Sequence, residues 1–146
     1  MKIISKNLEE TEKVARNFIE KEFVRNEGDA LIVGLYGDLG SGKTTFTQAV
    51  AKCLGVKETV TSPTFVIEKI YKLNGGKFDH LIHIDAYRLE SGGELIHLGW
   101  EEIAKNPKNI IFVEWPERVA EIFPKDIKKI FFTFVDKNAR IIEIKS

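Results

Sequence analysis

Apolar residues along the chain follow two rhythms. From Leu8 they recur at helical spacing, as Leu8, Ala15, Ile19 and Phe23 joined by Phe18, with charged residues between. That spacing predicts an amphipathic helix of about five turns. Asn7-Leu8-Glu9-Glu10 opens it as a capping box, with Asn7 at the N-cap, and Gly28-Asp29 stops it. Ala30 to Tyr36 is instead a short unbroken apolar run between turn residues, the pattern of a strand buried on both faces in a parallel sheet. Thr44 to Leu54 returns to helical spacing, with Phe46, Ala49, Val50 and Cys53 on one side and Gly55 as terminator.

Phe65 to Leu73 and Phe78 to Tyr87 read as strands joined by a tight hairpin at Asn74-Gly75-Gly76-Lys77. Gly92-Gly93 breaks the chain, and Glu94 to Lys105 is predicted helical. Asn109 to Val113 is a further buried strand ending at Glu114, and Pro116 to Phe123 is a short helix with Pro116 at N1. Ile127 to Val135 and Ala139 to Ile144 form a closing hairpin around Asp136-Lys137-Asn138. The order predicts an α/β fold with helices flanking a mixed sheet, parallel at its centre and antiparallel at its edges. A length of 146 residues predicts a single domain over 1–146.

Composition excludes more than it selects. Lys plus Arg and Asp plus Glu both number 22, so no net charge points to bulk nucleic-acid or membrane binding. The mildly basic stretch from Lys125 to Lys145 reads as a solvated face. Cys53 is the sole cysteine, which rules out an internal disulfide; it reads as a small core residue in a reducing compartment. No run of about 18 apolar residues exists, and Met1-Lys2-Ile3-Ile4-Ser5 lacks the apolar stretch of a signal peptide. The expectation is a cytoplasmic protein with no membrane association.

The chemistry begins where the first strand meets its helix. Gly37-Asp38-Leu39-Gly40-Ser41-Gly42-Lys43-Thr44 fits the Walker A pattern, with Thr45 following. Glycines let successive N–H groups turn inward as an anion nest, and the next helix points its positive end at the same phosphates. Lys43 supplies charge to the β- and γ-phosphates and Thr44 a hydroxyl to Mg²⁺. The bland alternative is a Gly-rich turn without a ligand, but the loop has the required context, after a buried strand and at the head of a helix.

Such a site needs a carboxylate near the metal, usually at the end of a buried strand. Leu81-Ile82-His83-Ile84-Asp85 and Ile110-Ile111-Phe112-Val113-Glu114 both end in an acid, and open α/β sheets bind ligands at strand C-termini. The residues alone leave open which acid meets the metal and which orients water. His83 shares a strand face with Asp85 at about 6–7 Å and reads as packed or hydrogen-bonded rather than catalytic. His80 and His97 have no zinc-ligand spacing.

No Asn-Lys-x-Asp guanine motif is present, so ATP is the expected nucleotide. A small kinase acting on a nucleotide or metabolite is the alternative. It would need an acceptor pocket and an arginine-bearing lid, whereas Arg16, Arg25, Arg88, Arg118 and Arg140 are scattered and no lid-like insertion follows the loop. An ATPase that acts on partner proteins fits better. Thr61-Ser62-Pro63-Thr64, shaped by Pro63, and Tyr87-Arg88 are the candidate switch and partner surface. The bland reading there is a surface turn beside an amphipathic Tyr-Arg pair.

The chain resembles the TsaE (YjeE) family, the ATPase subunit of the bacterial tRNA threonylcarbamoyladenosine (t6A) machinery. The resemblance covers nearly the whole length. Gly37 to Phe46 is similar to that family's phosphate loop, Thr61-Ser62-Pro63-Thr64-Phe65 to its switch-like loop, His83-Ile84-Asp85-Ala86-Tyr87-Arg88-Leu89 to its Asp-x-Tyr-Arg-Leu segment, and Glu114-Trp115-Pro116-Glu117 to its Glu-Trp-x-Glu segment. It implies that Thr44 and Glu114 hold Mg²⁺, that Asp85 is needed for hydrolysis and that Thr11 lies near the adenine. It implies work with TsaB and TsaD, of which TsaD modifies adenosine 37 of tRNA, so that tRNA is met only through the complex. At Leu98-Gly99-Trp100-Glu101-Glu102 the family more often has Leu in place of Trp100, a departure expected to change the local surface.

Overall fold

The computed structural model describes residues 1–22, 28–58 and 67–145. Strands β1 (Lys2–Ser5), β2 (Leu31–Tyr36), β3 (Glu68–Lys72), β4 (His80–Asp85), β5 (Asn109–Glu114), β6 (Lys128–Phe134) and β7 (Arg140–Lys145) make one seven-stranded sheet in the order β1-β7-β6-β2-β5-β4-β3. The pairs β2–β5, β2–β6 and β4–β5 are parallel, whereas β1–β7, β6–β7 and β3–β4 are antiparallel. The mixed sheet thus has the expected parallel centre and antiparallel edges. Its central strands are covered on both sides, which is why β2 and β5 read as continuous apolar runs rather than alternating ones.

Alternate residues of these strands feed two cores. Leu31, Val33, Leu35, Ile110 and Phe112 pack under α1 (Leu8–Glu22) and α2 (Lys43–Cys53). Ile32, Ile82, Ile84, Ile111 and Val113 pack on the opposite face with Leu95 of α3 (Gly92–His97) and Trp100 of α4 (Trp100–Ala104). Phe46, fully buried on the second turn of α2, meets Phe18, Phe112 and Phe132 with ring centroids 6.3, 6.3 and 5.5 Å away. A phenylalanine so placed is worth about 3–5 kcal/mol against alanine, so the helix that follows the phosphate loop is firmly seated. Val56 N–H and Gly55 N–H reach back to the Ala51 and Lys52 carbonyls, and Gly55 at φ 84° closes α2 as expected.

Several local expectations are corrected. Asn7 caps α1, accepting the Glu10 N–H at 2.8 Å, but Glu10 reaches the Lys6 N–H rather than that of Asn7. The buried stripe is Thr11, Val14, Ala15, Phe18 and Ile19, while Leu8, the first helical residue, is 57% exposed. Phe23 lies outside the described residues. Lys2–Ser5, given no element from its pattern, is an edge strand that exists through pairing with β7. Between β3 and β4 the chain makes a longer connection than a tight hairpin, closed by Leu73 N–H on the Asp79 carbonyl.

Gly92 and Gly93 begin a helix instead of breaking one, because Glu94 accepts the Glu90 and Ser91 N–H groups at 2.6 and 3.4 Å and caps the turn. The predicted Glu94–Lys105 helix is two helices, parted at Gly99, whose φ of 91° no helix tolerates. That break turns Trp100 inward onto Phe123 at 5.5 Å, 4% exposed, so the departure at this position is a core substitution and not a surface one. Pro116–Phe123 is a pair of 3₁₀ turns, Pro116–Arg118 and Ala120–Ile122. Cys53 is half-buried, and burial pushes its thiol up, away from thiolate chemistry.

Candidate functional site

The topology delivers the predicted residues to one end of the sheet. The phosphate loop leaves the C-terminal end of β2, and Glu114 and Asp85 end the neighbouring parallel strands β5 and β4, directly opposite each other in register. Ser5 ends β1 and Arg140 starts the antiparallel β7, and the two are paired at that same end. The acids therefore stand on one side of the loop, and Ser5 and Arg140 on the other.

Within the loop, Gly37, Gly40 and Gly42 have φ of 149°, 78° and 108°. A Cβ on Gly37 would lie 2.7 Å from both the Phe132 carbonyl oxygen and Ser41 Oγ, so only hydrogen fits there. Ser41 Oγ is buried with no hydrogen-bond partner. Lys43 is 5% exposed; its Nζ donates to the Gly37 carbonyl at 2.6 Å and stands 3.8 Å from the centre of the Trp115 ring. Burial pulls its pKa below the usual lysine range, against the opposing pull of Glu114, Glu117, Asp85 and Asp38. Thr45 follows Thr44 on the first turn of α2, whose N–H groups have no intrahelical acceptor.

Thr44 Oγ1 donates to Glu114 Oε2 at 3.0 Å, a contact between residues 70 apart in sequence. The same oxygen lies 2.5 Å from His83 Nε2, with His83 wholly buried and Glu114 4% exposed. Asp85 is more open, and its Oδ1 accepts the Tyr87 N–H at 3.0 Å. Burial pushes the Asp85 carboxyl above the ordinary range; the Glu114 carboxylate adds to this, and the Tyr87 N–H and Lys43 oppose it. The Tyr87 ring meets Trp115 in a tilted contact at 5.1 Å, with Arg118 over Tyr87 at 5.5 Å, so two adjoining rings lie between the Lys43 and Arg118 cations. Trp115, at φ 59°, is the one non-glycine residue of positive φ among those described, and the following Pro116 already disfavours right-handed helical geometry there.

On the opposite side, Arg140 lies against Gly42. A Cβ on Gly42 would fall 2.3 Å from Nη1 and 2.8 Å from Cδ, and Nη1 is buried without a partner. Thr11 is nearby in topology rather than open to a ligand: it is 1% exposed and shares a 2.7 Å hydrogen bond with Ser5 Oγ. Of the switch candidates, Tyr87 and Arg88 are exposed, and Thr61, Ser62, Pro63 and Thr64 lie outside the described residues.

The orphaned Ser41 hydroxyl, the glycine cradle and the free N–H groups at the head of α2 fit an anion such as a phosphate chain. Thr44 and the carboxylates offer hard oxygens of the kind Mg²⁺ takes alongside phosphate and water. No group of three or more His, Cys, Asp or Glu able to hold a metal is present among the described residues, so the protein alone forms no closed metal cage there. Sequence reasoning missed His83 as a partner of Glu114, Trp115 as a seat for Lys43, and Arg140. Only the first carried a signal, its place two residues before Asp85 on one strand face. No helix among the described residues is long and apolar enough to cross a membrane.

The family model for the threonylcarbamoyl adenosine biosynthesis protein TsaE matches residues 5–142. Among curated relatives, the tRNA threonylcarbamoyladenosine biosynthesis protein TsaE of Rickettsia typhi is 35% identical over 136 residues, 92% of this chain and 90% of the relative. The protein of the same name from Bacillus subtilis is 40% identical over 120 residues, 82% of this chain and 69% of the relative. The crystal structure of Bacillus subtilis YdiB superposes with a TM-score of 0.72 at 31% identity, covering 97% of this chain and 82% of that one. With the family model spanning nearly the whole length and the fold shared as well, the chain belongs to the TsaE family.

Proposed function

We propose that the chain is a cytoplasmic ATPase domain, residues 1–146, that binds ATP with Mg²⁺ and hydrolyses it slowly. It acts on TsaB- and TsaD-like partners in threonylcarbamoylation of adenosine 37 of tRNA and meets the tRNA only through them. The observation that carries the reading is the Thr44–Glu114 hydrogen bond: the helix-heading hydroxyl of the phosphate loop and a strand-end carboxylate converge at 3.0 Å.

Gly37 to Thr45 would wrap the phosphates with backbone N–H groups, and Lys43 would supply the cation at the β–γ bridge. Thr44 and Glu114, with Asp85 beside them, would hold Mg²⁺, which when bound neutralises charge on the β- and γ-phosphates. Asp85, more open and facing the same space, is suited to orient the attacking water. Arg140, across the loop from the acids, would meet the nucleoside end, on the side where Ser5 and Thr11 shape the sheet margin. Tyr87 and Arg88, with Thr61, Ser62, Pro63 and Thr64, form the proposed partner-facing switch; the rings linking Tyr87 through Trp115 to Lys43 give it a physical route to the phosphates.

The test is product analysis with γ-labelled ATP. The parent protein should release labelled inorganic phosphate slowly and label nothing in a panel of nucleotides, nucleosides and metabolites, and Lys43→Ala should release none. A labelled metabolite would make the protein a kinase, and unchanged turnover by Lys43→Ala would remove the phosphate loop from the chemistry.

A further inference from the structure

The Glu114 carboxylate is gripped from two directions at a single oxygen. Thr44 Oγ1 reaches Oε2 from α2 at 3.0 Å, and His83 Nε2 reaches the same atom from β4 at 2.5 Å. His83 pairs in register with Phe112, and Glu114 follows two residues later on β5, so the two side chains are diagonal neighbours on one sheet face. Both are buried, His83 at 0% exposure.

Hydrogen-bond chemistry assigns the proton. An ionised carboxylate only accepts, so the hydrogen between the two groups rides on His83 Nε2. Nδ1 is buried and has no partner. Nε2 therefore presents its N–H to Oε2.

We infer that His83 is a positioning residue for Glu114: it pins Oε2 and so fixes the direction in which Oε1 is presented to the metal that accompanies the nucleotide. The inference rests on the reading of Glu114 as a magnesium-holding residue. It gives His83 a purpose outside the phosphate loop and the strand-end acids. Packing alone would be met as well by leucine or phenylalanine, since the surrounding strand positions Leu81, Ile82 and Ile84 are apolar and buried.

The experiment titrates MgCl₂ calorimetrically into the full chain saturated with ADP, for the parent, His83→Leu, His83→Gln and Glu114→Ala. ADP affinity is measured in parallel in EDTA. Loss of an orienting hydrogen bond behind a metal ligand typically weakens metal affinity about 10–100-fold. His83→Leu should show a loss in that range with ADP binding in EDTA unchanged. His83→Gln, whose amide N–H can occupy the place of Nε2–H, should recover most of it. Nitrogen-15 spectra of the imidazole in the parent should show a protonated Nε2, a readout that stands even if His83→Leu does not fold.

Parent-like magnesium affinity in His83→Leu, beside a clear loss in Glu114→Ala, would overturn the role of His83 alone. An equal fall in EDTA and in magnesium would make His83 merely structural. An unprotonated Nε2 would refute the hydrogen bond and the geometry with it. Unchanged magnesium affinity in Glu114→Ala would overturn the reading of Glu114 itself, and the positioning role with it.

Discussion

Replacing Gly42 by alanine tests how the phosphate loop is built, because two separable costs meet at that atom. The first is backbone strain. Gly42 has φ 108° and ψ 13°, a left-handed conformation that residues with a Cβ rarely adopt, and a Cβ there costs about 1–3 kcal/mol. The second is collision: the new methyl would sit 2.3 Å from Arg140 Nη1, 2.8 Å from Cδ and 3.0 Å from Cζ. Ordinary carbon contacts begin near 3.5 Å, so the guanidinium must swing away, at the roughly 1–3 kcal/mol typical of overpacking. Gly42→Ala should therefore lose about 2–6 kcal/mol in urea denaturation.

Arg140→Ala alone should be mild, since Nη1 has no hydrogen bond to lose. In the double variant the collision disappears and only the strain remains, giving a favourable coupling of about 1–3 kcal/mol in a double-mutant cycle, as for residues in direct contact. Strictly additive losses would refute the contact between Arg140 and the loop. A Gly42→Ala variant as stable as the parent would refute the backbone geometry as well.

Asp85→Asn should stabilise the nucleotide-free protein at neutral pH. The folded-state pKa of Asp85 is raised above 3.8, chiefly by burial, so the fold holds that proton more tightly than the unfolded chain does. The stability this confers is full below the ordinary carboxylate range and is lost as pH rises through the raised value. The advantage of the asparagine should therefore fade as pH falls through that window. Asp85 is partly open, so the gain should stay under about 1 kcal/mol; thermal melts from pH 3 to 8 check it, and a gap that widens on acidification would contradict the assigned cause. If Arg140 meets the nucleoside end, Arg140→Ala should weaken ADP and ATP alike while leaving inorganic tripolyphosphate binding unchanged. Competition calorimetry measures both, and an equal loss for tripolyphosphate would put Arg140 on the phosphates instead.

Local rules carried the sequence a long way. The apolar runs of β2 and β5, the helical spacing of α2 and Gly55 at its end depend only on side-chain periodicity and backbone sterics, and they stand where the pattern predicts them. The same rules bring the phosphate loop between a buried strand and a helix and set Asp85 and Glu114 at strand ends. Elements that depend on a distant partner were not legible: β1 is half polar and four residues long, and it is a strand only because β7 lies beside it. Trp100 looked like a surface change until Gly99 parted the helix and turned the ring inward. The site's closest contacts belong to this second kind. Glu114 meets Thr44 and His83 across 70 and 31 residues, and Arg140 meets Gly42 from the closing hairpin. Which strand lies beside which is decided by burial of both sheet faces and by closure of the loops between them, and no periodicity in a single strand encodes its neighbour. The sequence by itself thus determined the kinds of chemistry available at each strand end. The tertiary order β1-β7-β6-β2-β5-β4-β3 alone decided which groups share an oxygen, a ring or a cradle.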